Sequence, residues 1–430
     1  MSVISYNNIA LTQSSTTTSK LFTLAIILSP IFRQYIPIIP IPGVTLGDMA
    51  LGISCVFLLL TPKLDFPVQK VKPLVLFWFF GTTVSFFSFL IQQELTFEIF
   101  SRLIRYSFYV FLVLVSSKYF QLKYALKIFK FLCIIISLYI IVQVIIYNIF
   151  GIILPFKILP IPLYKDISLN YISLIASRYY LRPQGIFVEP GYAAKFLLPG
   201  LALSLFGWMK KEKADIKTTM LIFSALILTT SSQGIFIGAL IVGLYIISLV
   251  KSNKSYSDVL KNFIIILIFV LSIVFFLNLD TVQTALNKVT GEIRSGSSVA
   301  LRIYRGFAVF LQLPILFQII GVGHGNLGNF VIENSIVTEY DPAIITPASA
   351  DYANSFSTAL LYYGIIGFLL LVYVYWHFFK NTKGAFRLIL ICQIVLSFVA
   401  GGLFGVTMVF YFSLIYSGYN LRIQENQKNS

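Results

Sequence analysis

The strongest constraint on this chain is its repetition of apolar segments close to the length of a membrane crossing. A helix needs roughly 20 mostly apolar residues to cross the hydrocarbon core of a bilayer. Twelve segments approach that length: 21–40, 44–62, 73–92, 99–117, 128–150, 191–209, 218–232, 234–250, 262–279, 355–376, 386–401 and 403–419. The chain has 430 residues, 58% of them hydrophobic and 11% charged, with a mean hydropathy of +0.87. A water-soluble domain of that composition would leave more apolar surface in water than folding tolerates. The expectation is an all-α polytopic membrane protein of about 12 transmembrane helices, forming a single integral membrane domain over 1–430. An even number of crossings puts both termini on one side.

The net charge of +16 would suit a nucleic-acid partner, but the placement of the charges points to a membrane instead. With a cytoplasmic N-terminus, every second connection is cytoplasmic. Those segments hold 20 of the 32 basic residues, in short loops beside helix ends. Lys118, Lys123, Lys127 and Lys130 form one such group, and Lys210, Lys211, Lys213 and Lys217 another. The positive-inside rule then places both termini in the cytoplasm. A Ser/Thr-rich leader with a single Lys20 precedes the first long apolar segment, so a retained first span is expected rather than a cleaved signal peptide. Cys55, Cys133 and Cys392 each fall inside an apolar segment, as packing residues do, and suggest no disulfide framework.

Two outward connections are long, about 151–190 and 280–354, and long ordered loops are usually functional. Within the second, Ser298–Ile320 is apolar enough to span, yet Arg302, Arg305, Gln312 and Pro314 interrupt it. A crossing there would also invert the charge pattern of everything that follows. It is expected to lie at the outer interface or to dip into the protein.

Eight of the ten arginines lie outside the cytoplasmic segments, whereas eighteen of the twenty-two lysines lie within them. Topology signalling needs only positive charge, so an outer preference for Arg calls for a different explanation. The guanidinium is a planar, always-charged fork that binds phosphate or carboxylate through paired hydrogen bonds. Pairing with outer carboxylates or lipid headgroups is the plainer alternative. On helices, Arg302 with Arg305 and Arg178 with Arg182 would each share a face, although Pro183 ends any helix at Arg182. Arg102 and Arg105 are also three apart, near the outer end of the fourth segment, where snorkelling and function are both open readings.

Several chemistries lack their residues. With two histidines, His324 and His377, no His-based metal site can form. No Asp-x-Asp pair, P-loop, Gly-x-Ser-x-Gly or His-Glu-x-x-His occurs, which argues against ATP-driven transport, serine hydrolysis and zinc proteolysis. Arginine clusters can stabilise a departing phosphate without a metal or other cofactor. His324, in the turn "VGHGN", is either a hydrogen-bonded loop residue or a general base.

Several segments in order resemble a known family. "RPQGIFVEPGYAA" (Arg182–Ala194) is similar to the Arg-x-x-Gly-x-Phe-x-Glu-Pro signature of Wzy-type O-antigen polymerases. "SSQGIFIGALIVG" is similar to that family's Ser-Arg-Gly helix start, with Gln233 in place of Arg. "SSVALRIYRGF", "GVGHGN" and "NSFSTALLYYGIIGFLLL" follow in the family's order, so the resemblance covers about 170–375. It implies a GT-C-like membrane glycosyltransferase on the periplasmic face of a bacterial inner membrane. Donor and acceptor would be undecaprenyl-diphosphate-linked glycans, and a chain-length regulator is an implied partner. Arg182 and Arg302 would contact the diphosphate, Glu189 would shape the site or bind sugar, and Arg178, Arg305, Arg102, Asn354 and Tyr192 would complete the substrate-binding set. Direct displacement would invert the anomeric centre and need one base, for which His324, Glu189 and Asp351 are the candidates. An O-antigen ligase is the rival within the superfamily; its usual His before the last Asn and its Asn-Pro-Asn are here Ala353-Asn354 and Glu189-Pro190-Gly191. A lipid-linked oligosaccharide flippase is the rival from another class, but the charges gather in outer loops rather than near the midplane.

Overall fold

The computed structural model describes residues 16–36, 44–60, 68–92, 97–157, 159–163, 182–208, 214–250, 300–341, 353–401, 403 and 405–429. Among them there are fourteen α-helices, one π-helical turn and no strand. In chain order the helices are α1 (Thr17–Phe32), α2 (Leu46–Leu59), α3 (Val68–Gln92), α4 (Phe97–Tyr119), α5 (Leu122–Phe150), α6 (Pro190–Phe206), α7 (Ile216–Leu228) and α8 (Ser232–Val250). After the π turn (Ala300–Arg305) come α9 (Gly306–Gln312), α10 (Ile315–Ile320), α11 (Leu327–Glu333), α12 (Ser355–Asn381), α13 (Gly384–Val399) and α14 (Val406–Asn429). Eleven of the twelve apolar segments overlap these helices, although the first helix ends at Phe32, short of the expected 40. The remaining one, 262–279, lies outside the described residues, as do Arg178 and Asp351.

Among the described residues three helices are long and apolar enough to cross a membrane: α4 from Phe100 to Tyr119, the 29-residue α5 and the 27-residue α12. Their surfaces agree with that reading. Along α5, Phe131, Ile135, Leu138, Val142, Ile145 and Ile149 are exposed and recur at helical spacing on one face. The opposite face, including Phe129, Cys133, Ile136 and Ile140, is buried. A continuous exposed apolar stripe is costly in water and favourable in lipid, which is consistent with a membrane protein.

The ends of the helices follow from local chemistry. Thr45 and Asp48 form a capping box at the start of α2, and Pro190 occupies the first turn of α6, where a missing N–H costs nothing. Asp215 caps α7 through Thr218, and Asn354 caps α12 through Ser357. α6 is buried along almost its whole length and packs on α5, α7, α8 and α13, while α14 packs on α1, α4 and α13. The two meet where Phe196 stacks on Phe410 at 5.6 Å. All three cysteines are buried and unpaired.

Segment 298–320 is broken rather than one helix: a π turn, α9, an interruption at Leu313–Pro314, and α10, with both α9 and α10 packed on α12. α12 is itself kinked at Gly364, where φ is +63°. The kink frees the carbonyls of Leu361 and Tyr362, which accept hydrogen bonds from Val322 N (2.8 Å) and Gly323 N (2.9 Å). A Cβ on Gly364 would collide with the carbonyl of Ile319, so only glycine allows this contact. A broken apolar helix persists where neighbouring backbone satisfies the groups it frees. Val322 and Gly323 of "VGHGN" thus serve a backbone clasp.

Candidate functional site

The segment Arg182–Glu189 is held to the bundle by two glutamines. Gln143 of α5 accepts from Gly185 N (2.9 Å) and donates to Gly185 O (3.1 Å), and Gln34 donates to Ile186 O (2.7 Å). Gly185 has φ +63°, a left-handed turn that a Cβ would strain. This turn delivers Glu189 and the first turn of α6 to a cavity of about 300 Å³. The other walls come from the end of α1, the first turns of α2 and α14, and α4 at Arg105 and Tyr109. One end of the bundle therefore supplies the whole site.

Three cations line it: Arg33, Arg105 and Lys195. None has a carboxylate within ion-pair distance among the described residues. The ring of Tyr192 carries two of them, with the Arg33 guanidinium 5.6 Å and the Lys195 ammonium 5.5 Å from its centroid. Lys195 is further anchored by donating to Gly401 O (2.9 Å), and Tyr411 donates to its carbonyl (2.8 Å). Arg33, Arg302 and Glu189 all act electrostatically on the Lys195 ammonium.

Two carboxylates share the cavity and differ in what they can do. Asp48 is engaged three times: Oδ1 accepts from the Tyr109 hydroxyl (2.6 Å), and Oδ2 accepts from Thr45 N (2.9 Å) and Thr45 Oγ1 (2.8 Å). Glu189 makes no cap bond to its own helix, and its carboxylate has no hydrogen-bond or ion-pair partner among the described residues. A half-buried carboxylate with open lone pairs can accept a proton or a sugar hydroxyl. The pre-placed cations suit an anion or a developing negative charge.

The remaining expected residues are placed as follows. Arg182 is half-buried outside the cavity lining, with Nε 3.4 Å from Thr230 Oγ1. Arg302 and Arg305 do not share a face. In a π turn the hydrogen bonds reach one residue further than in an α-helix, so positions three apart are no longer stacked. Arg305 is 1% exposed and donates to Asp341, whereas Arg302 is half-buried and acts on Lys195. Asn354 is 0% exposed, and both ends of its amide are bound to protein.

His324 is buried between helices, away from the cavity lining. Its ring stacks on Tyr106 at 5.3 Å, meets Tyr362 edge-on at 4.8 Å, and its Nδ1 lies 3.2 Å from the Tyr363 hydroxyl. Burial, and then the charges of Arg102 and Arg105 on α4, push its pKa down to about 3. The imidazole is therefore neutral at physiological pH and has little drive to take a proton.

Arg33, Asp48, Lys195 and Tyr109 were not among the residues expected at the site. The Thr45-x-x-Asp48 spacing of a capping box, and a lone lysine inside an apolar segment, were the available signals for two of them. Matched against models of known protein families the chain finds none, and no curated protein matches it either.

Proposed function

We propose that this chain is a membrane glycosyltransferase that polymerises undecaprenyl-diphosphate-linked repeat units into O-antigen or a related surface polysaccharide. In this reading it has about 12 crossings, cytoplasmic termini and an active site on the periplasmic face of the inner membrane. The observation that carries it is the cavity itself. Arg33, Arg105 and Lys195 stand around it with no carboxylate at ion-pair distance among the described residues, beside the carboxylate of Glu189.

The acceptor hydroxyl attacks the anomeric carbon of the donor glycan, and the bond from that carbon to the diphosphate oxygen breaks. The electron pair leaves with the lipid diphosphate, and the acceptor proton passes to Glu189. One displacement inverts the anomeric centre. The cations meet the negative charge that develops on the departing diphosphate, and such fixed charges in a water-poor site contribute strongly to catalysis. Arg182 and Arg302 extend the positive wall beyond the cavity. Asp48, already held by Thr45, fixes the Tyr109 hydroxyl.

Deleting the gene and resolving the surface glycan on a gel tests the function. Polymerase loss leaves a single repeat on the final acceptor. Long chains retained on undecaprenyl lipid would instead mark a ligase, and units left facing the cytoplasm would mark a flippase.

A further inference from the structure

The first turn of α12 sits behind the cations rather than among them. Asn354 uses both ends of its amide: Oδ1 accepts from Ser357 N (2.8 Å), capping the helix, and Nδ2 donates to Arg302 O (2.8 Å), with Ile303 O at 3.4 Å. These two carbonyls belong to the π turn. That turn is pressed onto the same place, since a Cβ on Gly306 would collide with Ser357 and lie 3.1 Å from Ala353 Cβ. The next residue, Ser355, reaches in another direction. Its Oγ lies 3.1 Å from Ala400 O and accepts from Leu403 N (3.1 Å), while its backbone N donates to Ala400 O (3.3 Å). Gly401, which follows Ala400, supplies the carbonyl that receives the Lys195 ammonium at 2.9 Å.

One helical turn thus fixes the backbone presenting Arg302 and the backbone anchoring Lys195, two cations that act on one another electrostatically. Like charges separate unless their supports are rigid, and a site for a diphosphate needs them in place before the anion arrives. We infer that Asn354 and Ser355 are positioning residues that hold Arg302 and Lys195 at the spacing one diphosphate requires, and that Asn354 does not itself touch substrate. This rests on reading the cavity as a lipid-diphosphate site.

Asn354→Ser separates the two duties of the side chain. A serine hydroxyl still caps the helix, but it has no amide to offer the Arg302 carbonyl. The measurement is binding of undecaprenyl diphosphate to purified full-length protein in nanodiscs, with thermal unfolding recorded on the same samples. Asn354→Ser is expected to weaken binding about tenfold, the scale of one lost hydrogen bond, in protein that still unfolds cooperatively, with a modest fall in unfolding temperature from the unpaired carbonyl. In an Arg302→Ala background the same change should cost nothing further, because it acts through Arg302. Ser355→Ala should behave in the same way towards Lys195→Met. The inference is overturned if Asn354→Ser binds as tightly as wild type, or weakens binding equally with Arg302 absent. If wild-type protein fails to bind undecaprenyl diphosphate, the reading of the cavity falls and takes the inference with it; a binding wild type with an unaffected Asn354→Ser removes the inference alone.

Discussion

Arg305 with Asp341, and Arg33 with Lys195 over Tyr192, are two arrangements of charge in one bundle with opposite chemistry. Arg305 and Asp341 have side chains 1% and 3% exposed and are ion-paired, and Asp341 also accepts from Thr338 N (2.6 Å) and Thr338 Oγ1 (2.9 Å). Every charge there is compensated inside the protein, and the pair ties the π turn to the segment after α11. Arg33 and Lys195 are held by a ring face and a carbonyl and lack any carboxylate partner among the described residues. Crowded cations whose neighbouring carboxylates make no ion pair with them cost stability, and such an arrangement suits an added anion. The first arrangement is a staple; under the proposed function the second is a receptor for an anion.

Breaking the staple has the largest expected effect. Asp341→Ala leaves a buried guanidinium uncompensated, a loss of about 3–5 kcal/mol, and should sharply reduce the yield of folded protein; Arg305→Met with Asp341→Leu should restore it, as judged by thermal unfolding. The receptor should respond in the opposite sense. Arg33→Met or Lys195→Met is expected to cut turnover roughly 10²–10³-fold while leaving the unfolding temperature unchanged or raised, measured in a polymerisation assay beside a melt. Tyr192→Leu, which removes the ring but not the charges, should cost about tenfold or less in turnover, and Tyr192→Phe almost nothing, since the ring face is retained.

The smallest effect is expected at an exposed pair, Lys130 with Asp215 at 2.6 Å. Partial burial raises the Asp215 carboxyl, but hydrogen bonds from Lys130 and Thr218 outweigh it and hold the pKa below the usual value. A carboxylate depressed in the folded state stabilises above its unfolded pKa, near 4, and that stability is lost as the pH falls through the folded value. Asp215→Asn should therefore flatten the acid limb of a stability-against-pH curve slightly, by at most about 1 kcal/mol for so exposed a pair.

Helix positions were legible because apolar runs are a local signal. The segment around Arg182 was legible as a special turn, though its grip by Gln34 and Gln143 was not, since those contacts come from distant helices. Spacing alone put Arg302 and Arg305 on one face. The π turn that separates them is stabilised by Asn354, 52 positions later, and no local pattern announces it. His324 stood out as a scarce titratable group, yet its aromatic surroundings on α4 and α12 decide its chemistry. Arg33 and Lys195 are far apart in sequence, and only packing brings both over one tyrosine ring.

The most direct test of diphosphate-linked transfer at this cavity is reconstitution. Purified protein in nanodiscs would be given undecaprenyl-diphosphate-linked repeat units in the presence of a metal chelator. The expected result is a ladder of longer glycans, with one undecaprenyl diphosphate released per bond, that disappears in the Arg33→Met/Lys195→Met double variant. Repeat units that stay single with wild-type protein, or a ladder that survives in the double variant, would contradict it.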